Sequence, residues 1–339
     1  MRKTKLLDKF INHLYRSTSF YSRDVLDKIH LIQPTFYSPS ADASYLLNWE
    51  RILSQFVERN IMPSEIRNAL SNIVKLEKYE DLNFEFKKIE SLTHSKSFGR
   101  DYHATINGSW FRNVADWGKA MYPNFDDCNQ LSGLDDEDFA YNINYIENRE
   151  GFTQGTIDVD YYEWIDRYIG IQSGGSHHSA MLIHQLTNQK RGYERKAKIN
   201  KYSLDISQAE AICESCYLFI AANQAFTPLY SSSEGETEYI LRKFVAKRVF
   251  ISSIDASKVP SSLFIIQKSD LKVECDVFHD WLSECKNRGV IIDFVDMLKS
   301  PFKYCVEAYS HHLDSVYLGD PNRENDKTAK QIKIEVESH

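Results

Sequence analysis

Residues 158–182 read DVDYYEWIDRYIGIQSGGSHHSAML, and this stretch decides the fold class. Its first part, residues 158–171, is rich in β-branched and aromatic residues, which favour a β-strand. Gly174 and Gly175 then mark a turn. The apolar residues that follow, at 180, 181, 183 and 186, suit a helix with one buried side. The sequence therefore predicts a strand, a glycine turn and a helix in succession.

The N-terminal part of the chain has the pattern of helices instead. Apolar residues repeat at the spacing of one helix face within 6–14, 46–57 and 66–76. Together with the strand and helix around the glycine turn, these repeats predict an α+β or α/β protein. We expect a strand of the sheet and its following helix to lie in the C-terminal two thirds of the chain.

Three regions follow from the change of pattern near residue 98. We predict a helical N-terminal region over residues 1–97, a mixed α/β domain over 98–318 and a flexible C-terminal tail over 319–339. Within the mixed domain, the local pattern predicts strands at 102–106, 244–254, 262–266 and 290–294, and helices at 112–121, 207–226 and 277–285. The acidic run over 126–150 is interpreted as a solvated loop.

Composition limits the class of protein. The chain has 339 residues, a formal net charge of −7 and 42% hydrophobic residues, which excludes wholesale disorder and disfavours a general nucleic-acid coat. No apolar run is long enough to cross a bilayer, so we expect no membrane partner. Its six cysteines are scattered, which is typical of reduced thiols in a cytoplasmic protein. Cys213 and Cys216 form a CxxC inside the predicted helix 207–226, and we interpret them as ordinary thiols.

The glycine turn is the strongest chemical signal in the sequence. Gly174 and Gly175 carry no Cβ, so another group can approach the backbone closely there. The helix that follows presents backbone N–H groups and the positive end of its dipole, which together favour an anion such as phosphate. Ser176 could cap the helix or donate its hydroxyl to a phosphate oxygen, while His177 and His178 could hydrogen-bond the phosphate or move a proton.

The run Tyr168-Ile-Gly-Ile-Gln-Ser-Gly-Gly-Ser-His-His-Ser-Ala-Met-Leu182 resembles the nucleotide-binding turn of sulfiredoxins and ParB-type partition proteins. The resemblance covers about twenty residues and implies a nucleotide such as ATP or CTP, held by Gly174, Gly175, Ser176 and His177. Ser176 stands where sulfiredoxin-like enzymes carry a reactive cysteine, so cysteine-sulfinic acid reduction is not implied. His178 replaces the arginine of those families.

A catalytic phosphate site also needs a general base and often Mg²⁺. Asp158 and Asp160 precede the turn, and alternate residues of a strand share one face, so the two carboxylates could act together. Arg191, in the basic segment after the helix, is a candidate phosphate contact. We therefore predict Ser176, His177, His178, Asp158 and Asp160 as catalytic candidates, with Mg²⁺ as a candidate cofactor.

Other interpretations of the turn remain open. A Gly-Gly-Ser sequence can be a tight turn with no ligand. A metal site is less favoured, because His177 and His184 lie seven residues apart, or about 10 Å along a helix, and one ion cannot bind both.

The leading hypothesis is a nucleotide-phosphate-binding enzyme, a nucleotide hydrolase or phosphotransferase, centred on Gly174–His178. The alternative is a non-catalytic module that binds nucleic acid or protein through the basic segments 2–28 and 190–201. Partner candidates are therefore a nucleotide, another phosphate-bearing ligand, or nucleic acid.

Overall fold

The computed structural model of the protein describes residues 31–58, 62–93, 111–119, 136–222, 236–245 and 248–306, together with 23, 26, 27 and 29. The strands within these residues are β1 (Phe36–Tyr37), β2 (Val74–Glu85), β3 (Ile89–Leu92), β4 (Thr156–Tyr162), β5 (Arg167–Ile171), β6 (Glu194–Leu204), β7 (Cys216–Ala222), β8 (Phe250–Ile254), β9 (Ser261–Gln267), β10 (Ile291–Asp293) and β11 (Cys305–Val306). The helices are α1 (Trp49–Glu58), α2 (Ser64–Ser71), α3 (Val114–Lys119), α4 (Asp136–Asn148), α5 (Ser176–Asn188), α6 (Ile206–Ser215), α7 (Glu236–Phe244), α8 (Cys275–Asn287) and α9 (Phe294–Lys299). This mixture of helices and sheets confirms the α+β class.

The chain divides into two compact units. The first comprises residues 1–36, 47–74 and 204–305, and the second comprises 37–46, 75–203 and 306–339. Neither unit is a continuous piece of sequence, so the boundary predicted at residues 97 and 98 does not coincide with this division.

The second unit contains a five-stranded sheet in the order β2-β6-β4-β5-β3. β4 runs antiparallel to β5 and parallel to β6, and β5 runs parallel to β3. Ile157 and Val159 of β4 pack with the buried residues Ala180 and Ile183 of α5, which therefore covers one face of the sheet. The opposite face carries a smaller cluster that includes Tyr162.

Helix α3 lies very close to α5. A Cβ on Gly118 of α3 would stand 2.0 Å from the carbonyl oxygen of Ala180 and 2.9 Å from the Cβ of His184. Glycine is therefore required at residue 118 by the close approach of the two helices.

The first unit contains a four-stranded antiparallel sheet in the order β10-β7-β9-β8. β7 and β9 are almost wholly buried, and Phe219 stacks on Phe264 between them with ring centroids 5.4 Å apart. α8 contributes Phe278 and Trp281 to the same core. The predicted strands at 262–266 and 290–294 and the predicted helix at 277–285 are confirmed by β9, β10 and α8.

Several local predictions are wrong. The N-terminal region is not wholly helical, because residues 74–85 form β2 and residues 89–92 form β3. The predicted strand over 158–171 is a hairpin, since the chain reverses at Asp166, where φ is 44°. The predicted helix 207–226 ends at Ser215, and the apolar residues 216–222 form the central strand β7. The acidic loop predicted over 126–150 contains α4.

Three predictions fall outside the described residues: the helical repeat within 6–14, the strand at 102–106 and the tail at 319–339. Within the described part of the chain, no helix is both long enough and apolar enough to span a membrane.

Candidate functional site

The glycine turn connects β5, which ends at Ile171, to α5, which begins at Ser176. Gly174 has a φ of 154° and Gly175 a φ of 63°, which are values that L side chains rarely adopt. A Cβ on Gly175 would stand 2.4 Å from the carbonyl oxygen of Glu150, and one on Gly174 would stand 3.2 Å from Glu150 Oε2. Gly175 is therefore needed for the backbone at Glu150 to pack against the turn, whereas Gly174 is favoured by its own φ.

A cleft of about 390 Å³ opens beside the turn. It is lined by the loop 151–154, by the start of β4 at 156–158 and by residues 171–173. Because β5 ends where β4 begins, these segments meet at one end of the sheet, and α5 starts at the same end. The cleft and the positive end of the α5 dipole are consequently neighbours.

The cleft presents mostly neutral hydrogen-bonding groups. Thr153, Gln154, Thr156, Gln172 and Ser173 supply hydroxyl and amide groups, and the lining residues include one carboxylate, that of Asp158, and no lysine or arginine. Such a lining suits a ligand with several hydroxyl or amide groups.

The partly buried side chain of Arg195 holds the loop that lines the cleft. The Arg195 guanidinium donates hydrogen bonds to the carbonyl oxygens of Phe152 and Gln154, at 3.2 and 2.7 Å. It also donates to the Tyr193 hydroxyl at 2.9 Å and forms an ion pair with Glu147 at 3.3 Å. Its charge and donors are thus used to hold the loop 151–154 in place.

His178, predicted as a catalytic residue, is buried between helices. Its side chain is 1% exposed, and its ring stacks on Tyr145 with the centroids 3.7 Å apart. Nδ1 lies 2.9 Å from Asn142 Oδ1, and because an amide oxygen only accepts, Nδ1 carries the proton. Burial lowers the pKa of His178 to about 4, with smaller contributions from the charges of His177 and Arg149. The imidazole is therefore neutral at physiological pH.

The histidine is one end of a buried polar network between α4 and α5. The Asn142 amide donates to Asp138 Oδ2 and to Gln185 Oε1, both at 3.2 Å. The Gln185 amide donates to Asp138 Oδ2 at 3.0 Å. This network was not predicted, because the acidic run over 126–150, which contains Asp138 and Asn142, was interpreted as a loop. Their spacing of four residues, which places both on one helix face, was the available signal.

The two predicted carboxylates are not on the same side of the sheet as α5. Val159 and Ile157 face α5, so the alternate residues Asp158 and Asp160 share the opposite face with Tyr162. Asp160 accepts a hydrogen bond from the Asn200 amide at 2.9 Å. The two carboxylates therefore share one face of the strand, as predicted, but this face is turned away from α5.

Ser176 and His177 begin α5 and are 7% and 8% exposed. The N-cap position belongs to Gly175, so Ser176 does not cap the helix as predicted. Of the predicted residues, the turn 174–178 and Asp158 lie at the end of the sheet that carries the cleft.

Arg191 follows the other end of α5. This helix has 13 residues and is therefore about 20 Å long. Arg191 pairs with Asp136 at 2.5 Å and lies over the Phe139 ring, 4.6 Å from its centroid. The predicted contact between Arg191 and a phosphate at the glycine turn is therefore wrong.

The other candidate ligands and nucleophiles have ordinary surroundings. Among the described residues, no group of three or more histidine, cysteine, aspartate or glutamate side chains is arranged to hold a metal ion, so the predicted Mg²⁺ gains no support from Asp158 and Asp160. Burial raises the pKa of Cys213 to about 11 and also raises that of Cys216. Both are therefore thiols at neutral pH, as interpreted from the sequence.

Comparisons of the chain with protein-family models, with curated proteins and with solved structures found no match. The resemblance of residues 168–182 to the sulfiredoxin and ParB-type turn stays a prediction.

Proposed function

We propose that the chain binds the phosphate group of a small ligand, such as a nucleotide, in the cleft beside the glycine turn. The observation that carries the proposal is the position of Gln172 and Ser173, which line the cleft and directly precede the turn that starts α5. The cleft volume of about 390 Å³ lies near the lower end of the range for small-ligand sites. The sequence resemblance to a nucleotide-binding turn supports the same ligand class.

The cleft supplies the remaining parts of such a ligand with partners. A phosphate at the start of α5 would be favoured by the helix dipole. Asp158 would accept hydrogen bonds from sugar hydroxyls, and Thr153 and Thr156 could donate or accept. This division of roles suits a molecule that carries both a phosphate and hydroxyl groups.

The negative charge of Glu150 disfavours phosphate binding at the start of α5. Its side chain is exposed, and one carboxylate oxygen lies against Gly174 at the start of α5. A helix N-terminus stabilises a carboxylate by about 0.3–1 kcal/mol at an exposed position, so Glu150 would compete with the ligand phosphate for the same field. Removing this charge is therefore expected to strengthen phosphate binding.

Hydrolysis or phosphoryl transfer is the less supported part of the hypothesis. Ser176 and His177 are buried at the start of α5 and do not line the cleft, while His178 is hydrogen-bonded to Asn142 and Asp160 to Asn200. We therefore propose ligand binding first and treat catalysis by Ser176 and His177 as a separate prediction.

The alternative, a nucleic-acid or protein module, has less support from segment 190–201. Four of its six basic side chains form ion pairs, in Arg191–Asp136, Arg195–Glu147, Lys196–Glu80 and Lys201–Glu163. These pairs reduce the positive charge that would attract a phosphodiester backbone. Most of the other basic segment, 2–28, lies outside the described residues.

Isothermal titration calorimetry with ATP, CTP, GTP and inorganic phosphate tests the proposal. Ser173→Trp should abolish binding by filling the cleft. Glu150→Gln should tighten it about twofold to fivefold, which corresponds to the dipole term above. Asp276→Asn, an exposed carboxylate change on α8, is the matched control and should leave the affinity unchanged. Absence of heat with all four ligands, or wild-type affinity in Ser173→Trp, would refute the proposed site.

A further inference from the structure

Strand β2 forms one edge of the five-stranded sheet, and in the part of the chain that the structure describes no other strand pairs with its outer side. It has 12 residues, and residues 75–80 are exposed on both faces. Three of the eight large apolar side chains exposed among the described residues lie on this strand: Leu76, Tyr79 and Leu82, at 49%, 39% and 67%. A long exposed edge of this kind is a template for pairing with another strand.

The sequence of β2 is complementary to itself. In an antiparallel pair of identical strands, directly opposed residues share a sheet face only if their numbers differ by an even count. If Tyr79 of each copy lies at the two-fold axis, Lys78 faces the partner's Glu80 and Leu76 faces the partner's Leu82. Each of these two contacts occurs twice in the dimer, because the two-fold axis repeats it.

We propose that two copies of this chain associate by antiparallel pairing of β2 with β2, in the register that places Tyr79 opposite Tyr79. Residues 75–83 of each copy would then continue one sheet across both molecules. Glu80 already forms an ion pair with Lys196 of its own chain at 2.8 Å, and in the dimer its carboxylate would lie between this lysine and the partner's Lys78. Opposite charges and apolar side chains that face each other directly across strands stabilise such a pair.

The neighbouring registers are disfavoured by charge. A shift of the axis by one residue places Lys78 opposite the partner's Lys78, or Glu80 opposite the partner's Glu80. Like charges directly opposed destabilise a strand pair. Tyr79 is the uncharged residue between these two positions, so the charge pattern selects the register as well as the partner.

The other face of the paired strands carries the main repulsive contact of the dimer. There Glu77 faces the partner's Asp81. Asp81 accepts a hydrogen bond from its own neighbour Asn83 N at 3.0 Å, and the cation of Lys201 on β6 lies in electrostatic range of Glu77. These local partners offset part of the repulsion. Charged residues on an edge usually prevent pairing, but here the charges of Lys78 and Glu80 attract in one register.

Sedimentation velocity of the full chain over a range of concentrations tests the proposal. The wild type should show a monomer–dimer equilibrium. Lys78→Glu alone and Glu80→Lys alone should each weaken dimerisation by about tenfold or more, because two attractive pairs become repulsive. Lys272→Glu, an exposed charge reversal outside β2, is the control and should leave the equilibrium unchanged.

Rescue distinguishes pairing of β2 from a general effect of charge. The double variant Lys78→Glu/Glu80→Lys should dimerise like the wild type, and so should an equimolar mixture of the two single variants. Both results require residue 78 of one copy to face residue 80 of the other. A monomeric wild type, dimeric single variants, or single variants that neither the mixture nor the double change rescues would each overturn the proposal.

Discussion

Replacing Gly175 by alanine tests whether the turn is built by backbone packing. Gly175 has a φ of 63°, and a Cβ added there would lie 2.4 Å from the carbonyl oxygen of Glu150 and 3.3 Å from the Cα of Gly151. The substitution therefore introduces two separate costs, an unfavourable backbone conformation and a steric conflict with another segment of backbone.

The size of each cost follows from the geometry. An L residue in the left-handed region costs about 1–2 kcal/mol. The Glu150 carbonyl must also move by at least about 0.6 Å to reach the shortest separation that real Cβ atoms show, and overpacking of this kind costs about 1–3 kcal/mol. We therefore expect Gly175→Ala to lower the free energy of unfolding by about 2–5 kcal/mol.

The chain contains glycines that separate the two costs. Gly289 has a φ of 73° with open space around its Cβ position, so Gly289→Ala should cost only about 1–2 kcal/mol. Gly192 has open space and no positive φ, so Gly192→Ala should change the free energy of unfolding by less than about 1 kcal/mol and in the stabilising direction.

Urea denaturation followed by circular dichroism measures these differences. Because the chain divides into two compact units, each variant is compared through the transition of the unit that carries it. Gly175 and Gly192 belong to the second unit, and Gly289 belongs to the first. A cost for Gly175→Ala no larger than that for Gly289→Ala would show that Glu150 does not pack against the turn as described.

Three further predictions concern the helices beside the cleft. Gly118→Ala should destabilise the second unit by about 1–3 kcal/mol in the same denaturation assay, because its Cβ would lie 2.0 Å from the Ala180 carbonyl oxygen. Asn142→Leu should cost about 2–4 kcal/mol, since it leaves buried polar groups without their partner, whereas Asn148→Leu on the exposed side of α4 should cost less than about 0.5 kcal/mol. Lowering the pH from 7 to 5 should reduce the free energy of unfolding by about 2 kcal/mol through His178, because its pKa of about 4 in the folded chain makes the unfolded chain bind the proton first. This part of the pH dependence should disappear in His178→Gln, and an unchanged pH profile in that variant would contradict the assignment.

The parts of the fold that the sequence predicted correctly are those in which one local pattern agrees with burial. The apolar run around Leu263–Ile266 forms β9, and the stripe containing Phe278 and Leu282 forms α8. β9 is buried on both faces, which matches its continuous apolar run, and in α8 the apolar residues recur at the spacing of its buried face.

The errors arose where the local pattern was absent or ambiguous. β2 is exposed on both faces over 75–80, so it has no two-residue alternation, and its pairing with β6 decides its conformation. The apolar run 216–222 follows α6 without a break, and a short buried strand cannot be told from the end of a buried helix by period alone.

Only the part of the candidate site that has a local sequence signal was predicted. Gly174 and Gly175 are visible in the sequence because glycine pairs mark turns. Glu150, which packs against them, lies 24 residues earlier in the chain and has no local signal that connects it with the turn. Alternation along β4 correctly predicted that Asp158 and Asp160 share one face, but the face covered by α5 is set by the tertiary packing of Ile157 and Val159, which has no local signal.

The buried polar network determines how α4 is positioned along α5. Two apolar helices can slide past each other by one turn and still bury similar surface. Here Asn142 forms hydrogen bonds with both His178 and Gln185. A shift of α4 by one turn would break these hydrogen bonds while the three polar groups stayed buried, which is energetically costly. The network thus sets the register between the two helices. It fixes how far α4 extends along α5, and so fixes where the chain that leaves α4 reaches the glycine turn.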